Sequence, residues 1–350
     1  MPHSLNYAEK YTGEVLETIE QGLLTAPFFT TNVDWLDAKT FHFTQMSVSG
    51  YKNHSRTGGW NSGVISQIDV PFTVAHDRDI QFLVDKADTD ETARTAAIEK
   101  VSMTFAEQEQ VPEIDCYTFS TIAQKAVEAA NGLVNATALA DYTKDNVYSK
   151  IVAMMAKGKL KLYRQRGSLV GYVHSDIMSL LEVSTEIKLN VQADTIVEGG
   201  KAIETRVVKI NGVPLFEVVD TDRFKTLYDY TDGCVADEDA LDINVLFGSV
   251  ETVKTVPKIS SIYYFSAGTH TEGDGDLYQN RSLMDTFVFP NGKDNKIDSI
   301  FVDLSGVAAY SASATYAVGD IVTQGGEVYV CKTAITVGET FTVAKWTKIS

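Results

Sequence analysis

Thr40-Phe41-His42-Phe43-Thr44-Gln45-Met46-Ser47-Val48 and, further on, Val64-Ile65-Ser66-Gln67-Ile68-Asp69-Val70-Pro71-Phe72-Thr73-Val74 decide how this chain reads. The first segment alternates aromatic and polar residues. In the second, Val64, Ile68, Val70, Phe72 and Val74 share one parity. Period-two alternation marks a strand with one covered face. Residues 49–63 between them carry Gly50, Gly58, Gly59 and Gly63 with Asn53, Ser55 and Asn61, a set that cannot build a core and predicts a projecting loop. From residue 38 to 68 the chain has Lys39, Lys52 and Arg56 and neither Asp nor Glu, although its overall formal charge is −17. A basic finger on an acidic body suits electrostatic docking onto another copy of that body. A long loop without regular structure is uncommon in a compact domain unless it has a use. The subunit-contact residues expected on this finger are Lys39, Lys52, His54, Arg56 and Trp60.

Downstream, Asp88 and Glu91 have the spacing of a capping box. Ala93, Ala97, Val101 and Phe105 then recur every fourth residue, with Ala96 and Ile98 widening the stripe, which predicts an amphipathic helix of about five turns. Val111-Pro112 is expected to break it, with Pro112 opening a second helix. That helix carries Phe119, Ile122, Ala123, Ala126, Val127 and Ala130 and closes at Asn131-Gly132. Upstream, Tyr11, Val15, Leu16, Ile19 and Leu23 predict a helix over residues 7–23, stopped before Pro27. A third helix, over about 145–157, turns Val147, Ile151, Met154 and Met155 inward. Leu169-Val170-Gly171-Tyr172-Val173 reads as a buried strand, and Ser175 as the N-cap of a helix with Ile177, Leu180 and Leu181. Asn211-Gly212 between apolar runs signals a hairpin. Later strands are predicted at 243–254, 260–266, 284–289 and 298–304, with 267–281 as a Gly- and Asp-rich loop. Helices grouped early and strands grouped late give an α+β class.

With 350 residues, 44% hydrophobic and 22% charged, the chain is globular and long enough for about two domains. Its acidity argues against a general nucleic-acid-binding surface, because phosphate contacts need Lys and Arg, but not against a protein that surrounds nucleic acid without gripping it. Cys116, Cys234 and Cys331 are too far apart for a disulfide framework or a zinc site and read as free thiols made in a reducing cytoplasm. The first ten residues lack a basic region followed by an apolar run, so no signal peptide is expected, and no apolar run is long enough to span a bilayer. At 305–314 small residues suggest a linker. Residues 315–350 then read as a strand-only module, neutral because Asp320, Glu327 and Glu339 balance Lys332, Lys345 and Lys348.

No phosphate loop, dinucleotide fingerprint or metal-ligand spacing is present, so no catalytic residue, cofactor or metal is expected and the chain reads as a non-enzyme. His76-Asp77-Arg78-Asp79 looks like a catalytic cluster on paper, and His42 and His76 would face each other if both bordered the hairpin. With no nucleophile beside them, the better reading is a hydrogen-bonded strand end. Glu272, Asp274 and Asp276 lack calcium-loop spacing and read as a solvated loop.

This order of elements resembles the major capsid protein of tailed bacteriophages, with the Hong Kong 97-like fold. The likeness covers residues 1–305. It is carried by the run from Phe41 to Lys52, by Gly58-Gly59-Trp60, by residues 72–85 leading into a helix, by Gly171-Tyr172-Val173-His174 and by Ile210-Asn211-Gly212-Val213-Pro214. It implies an N-arm (1–36), an extended loop (37–76), a peripheral domain with a spine helix (77–114), an axial domain (115–240) and peripheral strands (241–304). The implied function is self-assembly of hexamers and pentamers into an icosahedral virion shell around double-stranded DNA, with a portal at one vertex and no membrane. Because the arm pattern starts within the first ten residues, a separate scaffolding protein is expected. Residues 315–350 resemble small chitin-binding β modules, through Tyr316, Gly319-Asp320, Val322, Gly326, Tyr329 and Trp346. That likeness makes Tyr316, Tyr329 and Trp346 the candidate ligand-facing residues of an outward decoration. The alternative function is a carbohydrate-binding surface or tail protein acting through this module.

Overall fold

The computed structural model describes residues 22–30, 39–54, 58, 60–86, 98–184, 196–198, 201–203, 207–291 and 295–350. The helix predicted over 7–23, the Asp88/Glu91 cap and Arg56 lie almost wholly or wholly outside these residues.

The strands are β1 (Thr40–Val48), β2 (Ile65–Thr73), β3 (His76–Asp85), β4 (Val134–Ala136), β5 (Leu169–His174), β6 (Ile196–Glu198) and β7 (Lys201–Ile203). They continue as β8 (Val207–Ile210), β9 (Val213–Val218), β10 (Tyr228–Asp229), β11 (Val235–Ala236), β12 (Ile243–Ser249), β13 (Val253–Phe265) and β14 (Gly275–Val288). Last come β15 (Ile300–Leu304), β16 (Ile321–Gln324), β17 (Glu327–Cys331) and β18 (Trp346–Lys348). The α-helices are α1 (Ile98–Phe105), α2 (Val111–Ala129), α3 (Val147–Met154), α4 (Leu160–Arg166) and α5 (Ser175–Glu182).

A six-stranded sheet, ordered β4-β15-β12-β5-β9-β8, forms the centre. Strand β5 is buried on both faces, which is why it reads as one apolar run rather than an alternation. On one face Tyr172, Leu246 and Val302 pack against Phe119, Ile122 and Ala126 of α2. On the other, Val173, Phe247 and Phe301 pack against Ile151, Met155, Leu160, Ile177 and Leu181 of α3, α4 and α5. The β8–β9 hairpin turns as predicted, with both Asn211 (φ 52°) and Gly212 (φ 84°) left-handed. The N-cap of α5 is His174 rather than Ser175: its Nδ1 accepts from Asp176 N–H, while Ser175 Oγ donates to Glu217 Oε1 at 2.7 Å.

A second sheet, β13-β14-β3, is a long antiparallel ribbon. Strand β14 starts at Gly275, so half of the predicted 267–281 loop is strand. There a Cβ would lie 2.2 Å from the Val84 carbonyl, so only glycine allows β14 to come this close to β3. Ile98, Ala106, Val111 and Ile114 cover this ribbon through Ile262, Tyr278 and Met284.

The long helix does not break at Pro112. A π-turn, Ala106–Gln110, joins α1 to α2, with helical backbone angles at both Phe105 and Val111. The wider turn gives the Pro112 ring room that a regular turn would deny it. The buried stripe is also offset from the predicted one. Ile98, Ser102 and Ala106 are buried, whereas Val101 and Phe105 are half-buried. The left-handed C-terminal residue of α2 is Ala130, before the expected Asn131-Gly132.

Candidate assembly site

β1 and β2 pair antiparallel in continuous register from Thr40↔Thr73 to Val48↔Ile65, forming the finger. Its base is fixed by aromatic packing. Phe41 and Phe72 stack at 5.7 Å, and Phe287 meets both edge-on at 5.1 and 5.3 Å. Phe41 and Val74 are buried against Val256, Leu283 and Phe289. Among the described side chains, those at the aromatic end of the finger are the ones with a core to bury themselves in.

Lys39 sits at this base. Its Nζ is 3.6 Å from Asp77, whose carboxylate also takes both arms of the Arg281 fork at 2.8 and 3.0 Å. The Arg281 hydrogen bonds hold Asp77 below the usual carboxylate range. Lys39 is thus engaged with its own subunit. At the tip, Lys52 Nζ donates to Ser62 O at 3.1 Å, Asn61 Nδ2 to Asn53 O at 2.9 Å and Val64 N–H to Ser49 Oγ at 2.9 Å. His54 and Trp60 lie with ring centroids 6.4 Å apart, and Trp60 is 97% exposed. The structure therefore brings His54 beside Trp60 at the tip, ties Lys52 to Ser62 of the same loop and engages Lys39 at the base instead.

Sequence reasoning missed the apolar residues of the tip other than Val64, which it placed on the covered face and which is exposed instead. Met46, Val48, Tyr51, Val64 and Ile65 are all exposed, with Val48 directly opposite Ile65. The signal was present: Met46, Val48 and Ile65 fall on the parity opposite to Phe41 and Phe72, so the alternation cannot bury both sets. A contiguous exposed apolar patch on a projecting arm marks an interaction surface.

The His76 cluster is a structural joint. His42 pairs with Pro71 and His76 with Met284, so the two histidines do not face each other across the hairpin. Glu113 Oε1 lies 3.1 Å from His76 Nε2 and accepts from Arg78 Nε at 2.7 Å. Arg78 also donates to the carbonyls of Tyr230 and Gly233. The His76 ring stacks on Tyr117 at 4.1 Å and meets Tyr230 edge-on. These contacts tie β3, α2 and the β10–β11 ribbon together.

Residues 22–30 are tied down through a buried carboxylate. Asp115 on α2 accepts from Thr25 Oγ1 at 2.7 Å, Thr25 N–H at 3.0 Å and Leu24 N–H at 3.2 Å. Burial raises Asp115 to about 6, against the opposing pull of those hydrogen bonds and of Arg223.

In the C-terminal region the candidate ligand-facing aromatics turn inward. Trp346 is 4% exposed, and it packs with Val322, Cys331 and Ile335 beneath Tyr310, Tyr316, Tyr329 and Phe341. Tyr316 meets Trp346 edge-on at 5.2 Å, and Tyr329 meets Phe341 likewise at 5.0 Å. These rings are the core of the β16-β17-β18 sheet, because so small a sheet has little else to bury. Its opposite face rests on the body: Val328 and Ile349 belong to the main core, and Val134 N–H donates to Ile349 O at 3.2 Å. The predicted linker is also engaged, since Tyr310 N–H donates to Thr323 O and Thr323 N–H to Ala308 O, both at 2.9 Å. The expectation of a small-residue linker at 305–314 leading to a separate module is corrected accordingly: both segments are bonded to or packed on the rest of the chain.

Neither a family model nor a curated protein matches this sequence. Solved structures do. The capsid of cyanophage P-SCSP1u is similar over 80% of this chain and 86% of its own, with TM-score 0.54 and 12% identity. The mature capsid of bacteriophage PhiM1 matches over 77% and 82%, with TM-score 0.51 and 13% identity. The capsid of Ralstonia phage GP4 matches over 82% and 89%, with TM-score 0.51 and 10% identity. The chain has the fold of phage capsid proteins.

Proposed function

We propose that this chain is the major capsid protein of a tailed phage, a shell subunit rather than an enzyme. The observation that carries this reading is the capsid fold, matched over about four-fifths of the chain, together with a paired two-stranded arm that exposes Met46, Val48, Val64 and Ile65. In the Hong Kong 97-like layout, residues 1–36 are the N-arm and 37–76 the extended loop. The peripheral domain comprises 77–114 and 241–304, the axial domain 115–240, and residues 315–350 form a small β unit on the outside of the shell. Copies assemble into hexamers and pentamers around double-stranded DNA, with a separate scaffolding protein during assembly and a portal at one vertex, after synthesis in the host cytoplasm. Among the described residues no helix is long and apolar enough to cross a membrane. Burial of Trp346 leaves the carbohydrate-binding alternative without an exposed aromatic platform built on that residue.

Electron microscopy of the purified chain, alone and coexpressed with a candidate scaffolding protein, tests this. Closed shells of uniform diameter are expected. A chain that stays monomeric under both conditions overturns the reading.

A further inference from the structure

We propose that Cys116 and Cys234 are a redox modification site: an oxidant joins them in a disulfide that braces the β10–β11 ribbon to α2. The sequence separates the two cysteines widely, and only the fold brings them together. Arg78 of β3 sets their approach. It donates to the Gly233 carbonyl, next to Cys234, at 3.2 Å, and to Glu113 Oε1, one helical turn before Cys116, at 2.7 Å. Tyr117, next to Cys116, meets the Tyr230 ring edge-on at 5.8 Å. Tyr228 of β10 pairs with Ala236 across the ribbon and reaches the Cys116 thiol with its hydroxyl. Between these ties the thiols of Cys234 and Cys116 share a hydrogen bond. Cys331 takes no part, since its Sγ donates to Thr333 O at 3.2 Å inside the C-terminal aromatic core.

The two thiols differ in access. Cys116 is buried and Cys234 is half-buried, so a reagent meets Cys234 first. The hydrogen bond to Cys116 and burial push the Cys234 thiol up, well above the usual thiol range. A pair that is so rarely ionised reacts slowly and suits a brace rather than a catalytic dithiol. The oxidant is a small disulfide such as oxidised glutathione. Cys234 loses its proton and attacks one glutathione sulfur; the glutathione S–S bond breaks, a mixed disulfide forms, and one glutathione leaves and takes up a proton. Cys116 then loses its proton and attacks Cys234 Sγ, releasing the second glutathione in the same way. Two protein thiols are oxidised by two electrons, and one glutathione disulfide is reduced to two thiols. The new bond closes a long loop and so restricts the unfolded chain. It concerns one subunit and does not rest on the shell reading, so either can fail alone.

The test incubates the full-length chain with oxidised glutathione or with dithiothreitol, alkylates the remaining thiols under denaturing conditions, digests without reductant and reads the peptides by mass spectrometry. A peptide pair linked from Cys116 to Cys234 is expected after oxidation only, with Cys331 alkylated in both samples. The oxidised chain should melt about 5 °C higher than the reduced one. Cys234→Ser should lose both the linked peptide and the shift; if it fails to fold, Cys234→Ala takes its place. A Cys234–glutathione adduct that goes no further, a link to Cys331, a link found only in dimers on a non-reducing gel, or three free thiols overturns the proposal. A linked peptide without a melting shift overturns the bracing.

Discussion

Two residues show how much single positions carry. Gly171 sits mid-strand in β5, where a Cβ would lie 2.5 Å from Leu215 Cδ2 and 2.6 Å from Phe247 Cε1. Gly171→Ala overpacks a closed core and is expected to cost about 1–3 kcal/mol, read as a lower urea midpoint with unchanged slope. Asp115 gives a pH signature. Its folded value of about 6 lies above the ordinary 3.8, so the folded state takes up the proton first. Its contribution to stability is full below about 4 and is lost as pH rises through 6, on the order of 3 kcal/mol. Stability of the native chain minus that of Asp115→Asn should therefore fall between pH 4 and 6. A flat difference would show that Asp115 does not titrate as its burial implies.

At the scale of elements, the finger and the long helix separate assembly from folding. Lys52→Glu reverses an exposed charge and Arg56→Glu a second charge of the same loop sequence, and exposed loop charges contribute within about 0.5 kcal/mol to stability. The double variant should melt like the native subunit and yield few shells at moderate salt. Normal shell yield would show that finger charge has no part in assembly. On the helix, Ile98 and not Val101 faces the ribbon, beside Ala106 and Ile262. Ile98→Asp buries an unpaired charge and should cost above about 4 kcal/mol, whereas half-buried Val101→Asp should leave a folded subunit. Equal solubility and melting of the two variants would place the buried stripe elsewhere. The π-turn explains why Pro112 misleads: a proline forbids a regular helical turn, but not a wider one that begins a new helical register.

For the whole molecule, the C-terminal sheet is part of the building. Truncation at Val307 removes Val328 and Ile349 from the main core, each worth about 1.5–3 kcal/mol, and strips the partner from Val134 N–H. The truncated chain should lose about 3 kcal/mol or more and aggregate or assemble poorly. A truncated chain that melts like the full-length protein and forms normal shells would show that the sheet is dispensable.

The sequence by itself determined the finger, the Asn-Gly hairpin, the inward faces of α2 and α3 and the order of elements that resembles a capsid subunit. Each of these rests on local periodicity or turn chemistry, which a chain carries wherever it folds. Strand β3 was also within reach, since Ile80, Phe82 and Val84 alternate, but the charges of His76-Asp77-Arg78-Asp79 drew attention from that pattern. Tertiary structure alone decided which side of each alternation is covered. Val328 and Tyr329 are neighbours of opposite parity, one facing the body and the other the aromatic cluster, and nothing in residues 315–350 says that both faces find partners. The same holds at the fingertip. Val48 and Ile65 look like core residues in the sequence and stand exposed in the subunit, because none of the described residues covers them.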